Sequence, residues 1–195
     1  NAVPALGGKT PLETASIPHI DALAARGELG SVINCPDGLP AGSDTAILSI
    51  FGADPKVCFT GRSPLEAAAT GIQLAPGEVS YRCNMVTYED GDLPFGQRRI
   101  LSHSGGSIEG DVSDRLITDL FADPRFAAAA EAAGMRVYPA SSFRHIAVQR
   151  GADLTGIRLI PPHDHLGEAI GPLLPSGNEN AKVLSSLMEL AHEVL

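Results

Sequence analysis

The sequence predicts a protein of mixed α and β structure, and three patterns lead to that assignment. Residues 79–88 alternate between apolar and polar side chains, which is the period of a half-buried strand. Residues 113–134 carry two apolar patterns of helical period. Three short apolar runs follow them and have the composition of strands. Two strands, then helices, then strands again are typical of an α+β module.

The chain before residue 78 is expected to hold short helices and one strand. A helix is predicted from Ser16, its expected N-cap, to Gly27, because a proline suits the first turn and apolar residues follow at helical spacing. Residues 29–34 are a strand candidate. Residues 54–72 are predicted to form a loop and then a short helix, and the turn at Pro76 marks an expected boundary.

The chain after that boundary holds the α+β module. Ser113 and Asp123 are the expected N-caps of its two central helices, because a short polar side chain there accepts a backbone hydrogen bond. The strands are predicted at 79–88, 98–104, 135–141, 143–151 and 156–160, and an irregular Pro/Gly-rich segment leads to a last helix within 176–195.

Composition excludes several classes of function. The chain has 195 residues, a net charge of −9 and no tryptophan, which argues against nucleic-acid binding. No apolar run approaches the ~20 residues that span a bilayer, so no membrane partner is expected. Three scattered cysteines indicate reduced thiols in a cytoplasmic protein. Most arginines lie between Ser80 and Ile160, and their planar groups suit carboxylates and phosphates.

The stretch GLPAGSDTAILSIFG, residues 38–52, gives Ser43 two alternative roles. Ser43 precedes an apolar run, as a helix N-cap does. The same position suits a nucleophile, because the free N–H groups of a helix N-terminus favour a phosphate. Local rules favour the cap, since no histidine or lysine lies beside Ser43 to act as a base.

Other polar residues are candidates for ligand binding. Arg82 and Asn84 are two residues apart and therefore share a sheet face, and Tyr88 is expected to extend it. Arg144 and His145 are adjacent and cannot share a face. The PPHDH segment, residues 161–165, suits either a substrate-facing loop or, less well, a metal site, which would want a third ligand and supporting contacts.

Longer segments resemble the archaeal-type, cofactor-independent phosphoglycerate mutases of the alkaline phosphatase superfamily. The resemblance is carried by GSDTA with TGRSPLEA, by YRCNMVT, by FRHIAV and by PPHD, and it extends over almost the whole chain. It implies an α/β fold: part of an alkaline-phosphatase-like core, and an inserted substrate-binding domain with a mixed or antiparallel sheet and helices. The expected limits are 1–77 for the core segment, 78–175 for the insert and 176–195 for a returning helix.

The resemblance also implies roles for particular residues. Ser43 corresponds to the serine that accepts the phosphoryl group. The implied substrate-binding residues are Arg82, Asn84, Arg144, His145, His163 and, as a weaker match, Arg62. The implied activity interconverts 3- and 2-phosphoglycerate in glycolysis and gluconeogenesis, so the expected partner is a small phosphorylated metabolite.

Two features of the match limit that carry-over. The family uses two divalent metal ions (manganese, zinc or magnesium), but its metal-binding motifs lie mostly outside these residues. We therefore expect this chain to be part of a longer protein and to bind no metal alone. Residues 102–110, SHSGGSIEG, replace an arginine-bearing pattern of archaeal members. A related phosphotransferase acting on another metabolite such as homoserine, or a non-catalytic binding module, therefore stays open.

Overall fold

The structure is a computed structural model that describes residues 1–140 and 142–195. The chain divides into two compact units, Asn1–Phe59 and Thr60–Leu195. This division follows spatial contacts and differs from the expected limits at residues 77 and 175, which stay a prediction about the longer protein. None of the helices in the described ranges is long and apolar enough to cross a membrane.

The first unit contains short helices joined by irregular chain. They are α1 (Pro11–Thr14), α2 (Pro18–Ala24), α3 (Ser43–Ile50) and α4 (Pro55–Cys58). The predicted helix near residue 20 is confirmed, but its N-cap is Ile17 rather than Ser16, and it has no side-chain cap. Pro18, whose φ angle is already helical, therefore starts this helix without a capping hydroxyl.

The strand predicted at residues 29–34 is absent, and that prediction is wrong. Within the described residues no other segment pairs with these backbone groups. Leu29, Val32 and Ile33 are at least 80% exposed. A strand needs a hydrogen-bonded neighbour, so apolar composition alone does not form one.

The second unit is an α+β arrangement around a three-stranded antiparallel sheet. Its strands are β1 (Glu78–Asn84), β2 (Thr87–Tyr88), β3 (Ile100–Ser102), β4 (Met135–Tyr138) and β5 (Arg144–Arg150). Its helices are α5 (Arg62–Ala69), α6 (Gly110–Ala122), α7 (Pro124–Ala132) and α8 (Glu179–Val194). The main sheet has the order β1-β5-β4, while β2 and β3 pair separately. The expected mixed α/β architecture with an antiparallel sheet is confirmed.

Helices cover both faces of the main sheet. On one face, Ala67 of α5 packs with Ile146 and Val148 of the central strand. On the other face, α6, α7 and α8 enclose a larger apolar core that includes Ile117, Phe126 and Leu187. Burial of both sheet faces explains why β5 is buried over five consecutive residues rather than alternating.

The predicted strand 79–88 is two strands in two different sheets. β1 ends at Asn84, and β2 then pairs with β3. Tyr88 packs edge-on against Phe95, with ring centroids 5.4 Å apart. Its expected place beside Arg82 and Asn84 is therefore wrong, because the chain leaves the main sheet between them.

Two further details differ from the sequence predictions. Asp123 caps α7 as predicted, accepting from the N–H groups of Arg125 and Phe126. Ser113 is not a cap, because α6 begins a turn earlier, after Glu109, and buries Ser113 completely. The strand expected at 156–160 is reduced to an isolated bridge between Arg158 and Ser176. Residue 141, the last of another predicted strand segment, lies outside the described residues.

Candidate functional site

Ser43 is the first residue of α3, and Gly42 holds the N-cap position, so the interpretation of Ser43 as the cap is wrong. The Ser43 side chain is exposed. Within the described residues its hydroxyl has no hydrogen-bond partner, and the N–H groups of Ser43 and Asp44 have no acceptor. A helix N-terminus with free N–H groups favours a bound anion.

The turn before Ser43 is fixed by one buried side chain. Thr45 is completely buried, and its hydroxyl donates to the carbonyl of Pro40 at 2.8 Å. The same hydroxyl oxygen lies 3.4 Å from the Gly42 nitrogen, which donates to it. These contacts join both sides of the turn and hold Ser43 at the exposed tip of the helix.

In the second unit, one carboxylate brings two of the predicted arginines together. The Nε of Arg62 donates to Oε1 of Glu66 at 3.0 Å. The Nε of Arg82 lies 2.9 Å from Oε2 of Glu66, close enough for an ion pair, although its N–H is not aligned for a hydrogen bond. The three side chains are one half to one quarter exposed, so the cluster lies at the protein surface.

Asn84 and Arg144 are direct cross-strand partners, as last residue of β1 and first residue of β5. Arg82 lies on the same sheet face as both. The Oδ1 of Asn84 is buried without a hydrogen-bond partner among the described residues. Arg144 is exposed, and its guanidinium carbon lies 4.6 Å from the ring centroid of Phe143. This end of the face therefore has polar groups available for a ligand.

His163 lies near this end of the sheet, and the rings of His103 and Phe143 lie between it and Arg144. Its ring lies 6.4 Å from that of His103, and His103 lies 6.0 Å from Phe143. The side chain of His163 is half exposed, with Nε2 3.4 Å from Asp164 Oδ2. A row of rings thus leads from Arg144 to His163.

His145 points to the opposite face and is buried. Its Nδ1 accepts from the N–H of Ala140 at 3.2 Å, so Nε2 carries the proton and donates to Ser113 Oγ at 2.8 Å. Burial lowers the pKa of His145, which Asp114 partly offsets. With both ring nitrogens bonded, His145 has no free group for a ligand and instead anchors β5 behind Arg144.

The residues around these sites do not form a metal centre by themselves. In residues 1–140 and 142–195, no three His, Cys, Asp or Glu side chains lie close enough together to hold a metal ion. In the PPHDH segment, His165 pairs with Glu168 at 3.1 Å while His163 is next to Asp164. The two histidines therefore do not converge on one point.

The family model for 2,3-bisphosphoglycerate-independent phosphoglycerate mutase matches residues 24–195. This chain belongs to that family. The match includes Ser43 and all of the second unit, so it covers both groups of candidate residues. Membership confirms the resemblance on which their expected roles depend.

Curated relatives agree with this assignment, and a solved structure has a similar fold. A probable 2,3-bisphosphoglycerate-independent phosphoglycerate mutase of Geobacter sulfurreducens is 39% identical over 193 residues, which are 97% of this chain and 45% of that protein. A mutase of the same description from Methanothermobacter thermautotrophicus is 39% identical over 94% of this chain and 42% of its own length. A Pyrococcus horikoshii protein of known structure is similar with a TM-score of 0.59 and 27% identity, over all of this chain and 41% of that one. The chain thus spans less than half the length of these proteins.

Sequence reasoning missed Glu66 and His103. Glu66 had a usable signal, because it follows Arg62 by four residues in a predicted helix, where opposite charges meet. His103 had none, because its proximity to Phe143 and His163 brings together three segments that are far apart in the sequence.

Proposed function

We propose that the full-length protein is a phosphoglycerate mutase that interconverts 3- and 2-phosphoglycerate through a phosphoserine at Ser43. Membership of the family supports this choice of reaction. The assignment of the nucleophile rests on one observation: Ser43 presents an unpaired hydroxyl beside two free N–H groups at the start of a helix. Those N–H groups would stabilise the charge on the phosphoryl oxygens during transfer.

The proposed chemistry consists of two phosphoryl transfers. In the first, Oγ of Ser43 loses its proton and attacks phosphorus, the bond from phosphorus to the C3 oxygen breaks, and that oxygen gains a proton as the hydroxyl of glycerate. In the second, the C2 hydroxyl oxygen attacks the phosphoserine, Ser43 Oγ leaves and regains a proton, and 2-phosphoglycerate forms. Water must be excluded between the two steps, since it would hydrolyse the phosphoserine.

The second unit would hold the organic part of the substrate. We assign this role to Arg82, Asn84, Arg144 and His163, with Arg62 beside Arg82. Guanidinium groups bind carboxylates in a forked geometry, and the unpaired Asn84 oxygen can accept from a hydroxyl. His145 would act by holding the first residue of β5 in place.

The proposal includes an alkaline-phosphatase-like core and an inserted substrate domain, as the resemblance implies. It also expects two divalent metal ions in the full-length protein. Metal ions neutralise charge on a transferring phosphoryl group. The described residues do not fit a metal site alone, so the steps above assign roles only to this chain's own groups.

The test is phosphoenzyme formation by full-length protein supplied with manganese and 3-phosphoglycerate. Ser43→Ala should remove the phosphopeptide seen by mass spectrometry and abolish turnover. Ser49→Ala is the matched control, because Ser49 lies on the same helix and only bonds the carbonyl of Thr45. Phosphopeptide that persists in Ser43→Ala would refute the assignment. Turnover of phosphohomoserine but not of 3-phosphoglycerate would show that the same phosphoryl transfer acts on the alternative substrate.

A further inference from the structure

Glu66 lies between two arginines of the proposed binding site. Each carboxylate oxygen faces one arginine, and both arginines approach it with Nε. Within the described residues the terminal nitrogens of Arg62 and Arg82 have no hydrogen bond or ion pair. The forked end that binds carboxylates and phosphates is therefore free on both side chains.

The backbone around Glu66 is held in place by packing and by hydrogen bonds. Its neighbour Ala67 is 1% exposed and packs against Ile146 and Val148 of the central strand. The carbonyl of Glu66 accepts from the N–H and the hydroxyl of Thr70, both at 3.1 Å, at the end of α5. The carboxylate thus projects from a fixed point beside the sheet.

The net charge of these three side chains suits them to bind an anion. Two guanidinium groups around one carboxylate carry a net charge of +1, which still attracts an anion. Without the carboxylate, the two like charges would repel and their flexible side chains would diverge. Holding them in place before binding reduces the entropy lost when a ligand is bound.

We propose that Glu66 is a positioning residue, which holds Arg62 and Arg82 together so that their free ends bind the anionic substrate. Glu66 acts through the arginines and does not touch the substrate. This inference rests on the proposed function, because it assumes that the arginines bind a phosphorylated metabolite.

The test measures substrate binding separately from turnover. Calorimetric titration of 3-phosphoglycerate into full-length protein carrying Ser43→Ala gives the parent Kd. Adding Glu66→Ala should raise that Kd about tenfold, because the guanidinium groups are no longer positioned. Glu66→Gln should raise it less, because its amide oxygen still accepts from one arginine. Glu78→Gln is the matched control and should leave the Kd unchanged, since Glu78 pairs with Arg136 at the other end of the same sheet face.

A double-substitution experiment distinguishes positioning from a general structural effect. In protein that already lacks both arginines through Arg62→Ala and Arg82→Ala, Glu66→Ala should not raise the Kd further. An unchanged Kd in Glu66→Ala alone, or the same increase with both arginines already removed, would overturn the inference. So would a parent protein with no saturable binding of 3-phosphoglycerate. Binding without turnover in full-length protein that retains Ser43 would contradict the proposed reaction and leave the role of Glu66 intact.

Discussion

One end of a sheet face carries a carboxylate with several hydrogen bonds, whereas the other end carries an amide oxygen with none among the described residues. At one end, Arg136 donates to Glu78 at 2.9 Å and to the hydroxyl of Tyr138 at 2.8 Å, and Glu78 also accepts from the N–H of Ala75. At the other end, Arg144 is exposed and Asn84 has a buried oxygen without a partner in the described part of the chain.

We propose that this difference separates a structural role at one end from a binding role at the other. Paired charges at a sheet face hold strands in register and have little left to offer a ligand. Unpaired polar atoms cost free energy unless something bonds to them, so the end at Asn84 and Arg144 is where a ligand gains most. Substitutions at the two ends should therefore change different properties of the protein.

The largest expected effect follows from replacing one arginine at each end of the sheet face with alanine. Arg144→Ala should lower kcat/KM of the full-length protein roughly 10- to 100-fold, which corresponds to losing one charged hydrogen bond worth about 1.5–3 kcal/mol. Its Tm should not change. Arg136→Ala should have the opposite pattern of effects. It should lower Tm and leave KM unchanged. Equal losses of activity in both variants would contradict the comparison.

A smaller effect is expected beneath the binding end, at the buried pair of Ser113 and His145. Ser113→Ala leaves the Nε2 proton of His145 without an acceptor and should cost about 1–3 kcal/mol of unfolding free energy. Urea unfolding with an unchanged m-value is the measurement. Thr118→Ala, on an exposed part of the same helix, should cost less than about 0.5 kcal/mol. Equal values for both would show that the buried bond is unimportant.

The smallest effect concerns pH at the paired end. The hydrogen bond from Arg136, with that from the Ala75 N–H, lowers the pKa of Glu78 to about 2. The unfolded chain therefore binds this proton first, so stability from Glu78 is complete above its ordinary pKa near 4.5 and is lost as pH falls toward 2. The effect is modest because Arg136 is partly exposed and solvent screens the pair. Glu78→Gln should reduce the slope of stability against pH in that window, and an unchanged slope would contradict the assignment.

Periodicity predicted most of the second unit because its pattern is local. The presence of β1 follows from the alternation of its side chains and that of α6 from helical spacing, and Asp123 was recognisable as a cap, whereas the continuous burial of β5 does not follow from alternation. The failures at residues 29–34 and 156–160 share one cause: strand formation depends on a partner segment that the local sequence does not specify.

The candidate site was less accessible to sequence reasoning. The strand period predicted that Arg82 and Asn84 lie on one face. The register that places Asn84 opposite Arg144, in contrast, appears only in the folded sheet. His145 matched the family pattern, yet the structure buries it against Ser113, which was expected to be a cap. The sequence does not distinguish a serine that hydrogen-bonds a buried imidazole from a serine that caps a helix.

We propose that the end of the sheet face at Asn84 and Arg144 binds the substrate. Hydrogen–deuterium exchange of the full-length protein, with and without 3-phosphoglycerate, tests it most directly. We expect ligand-dependent protection at residues 82–86 and 142–146 and none at residues 75–79 and 135–138. Protection confined to the second pair of segments, or absent from all four while the ligand is bound, would contradict it.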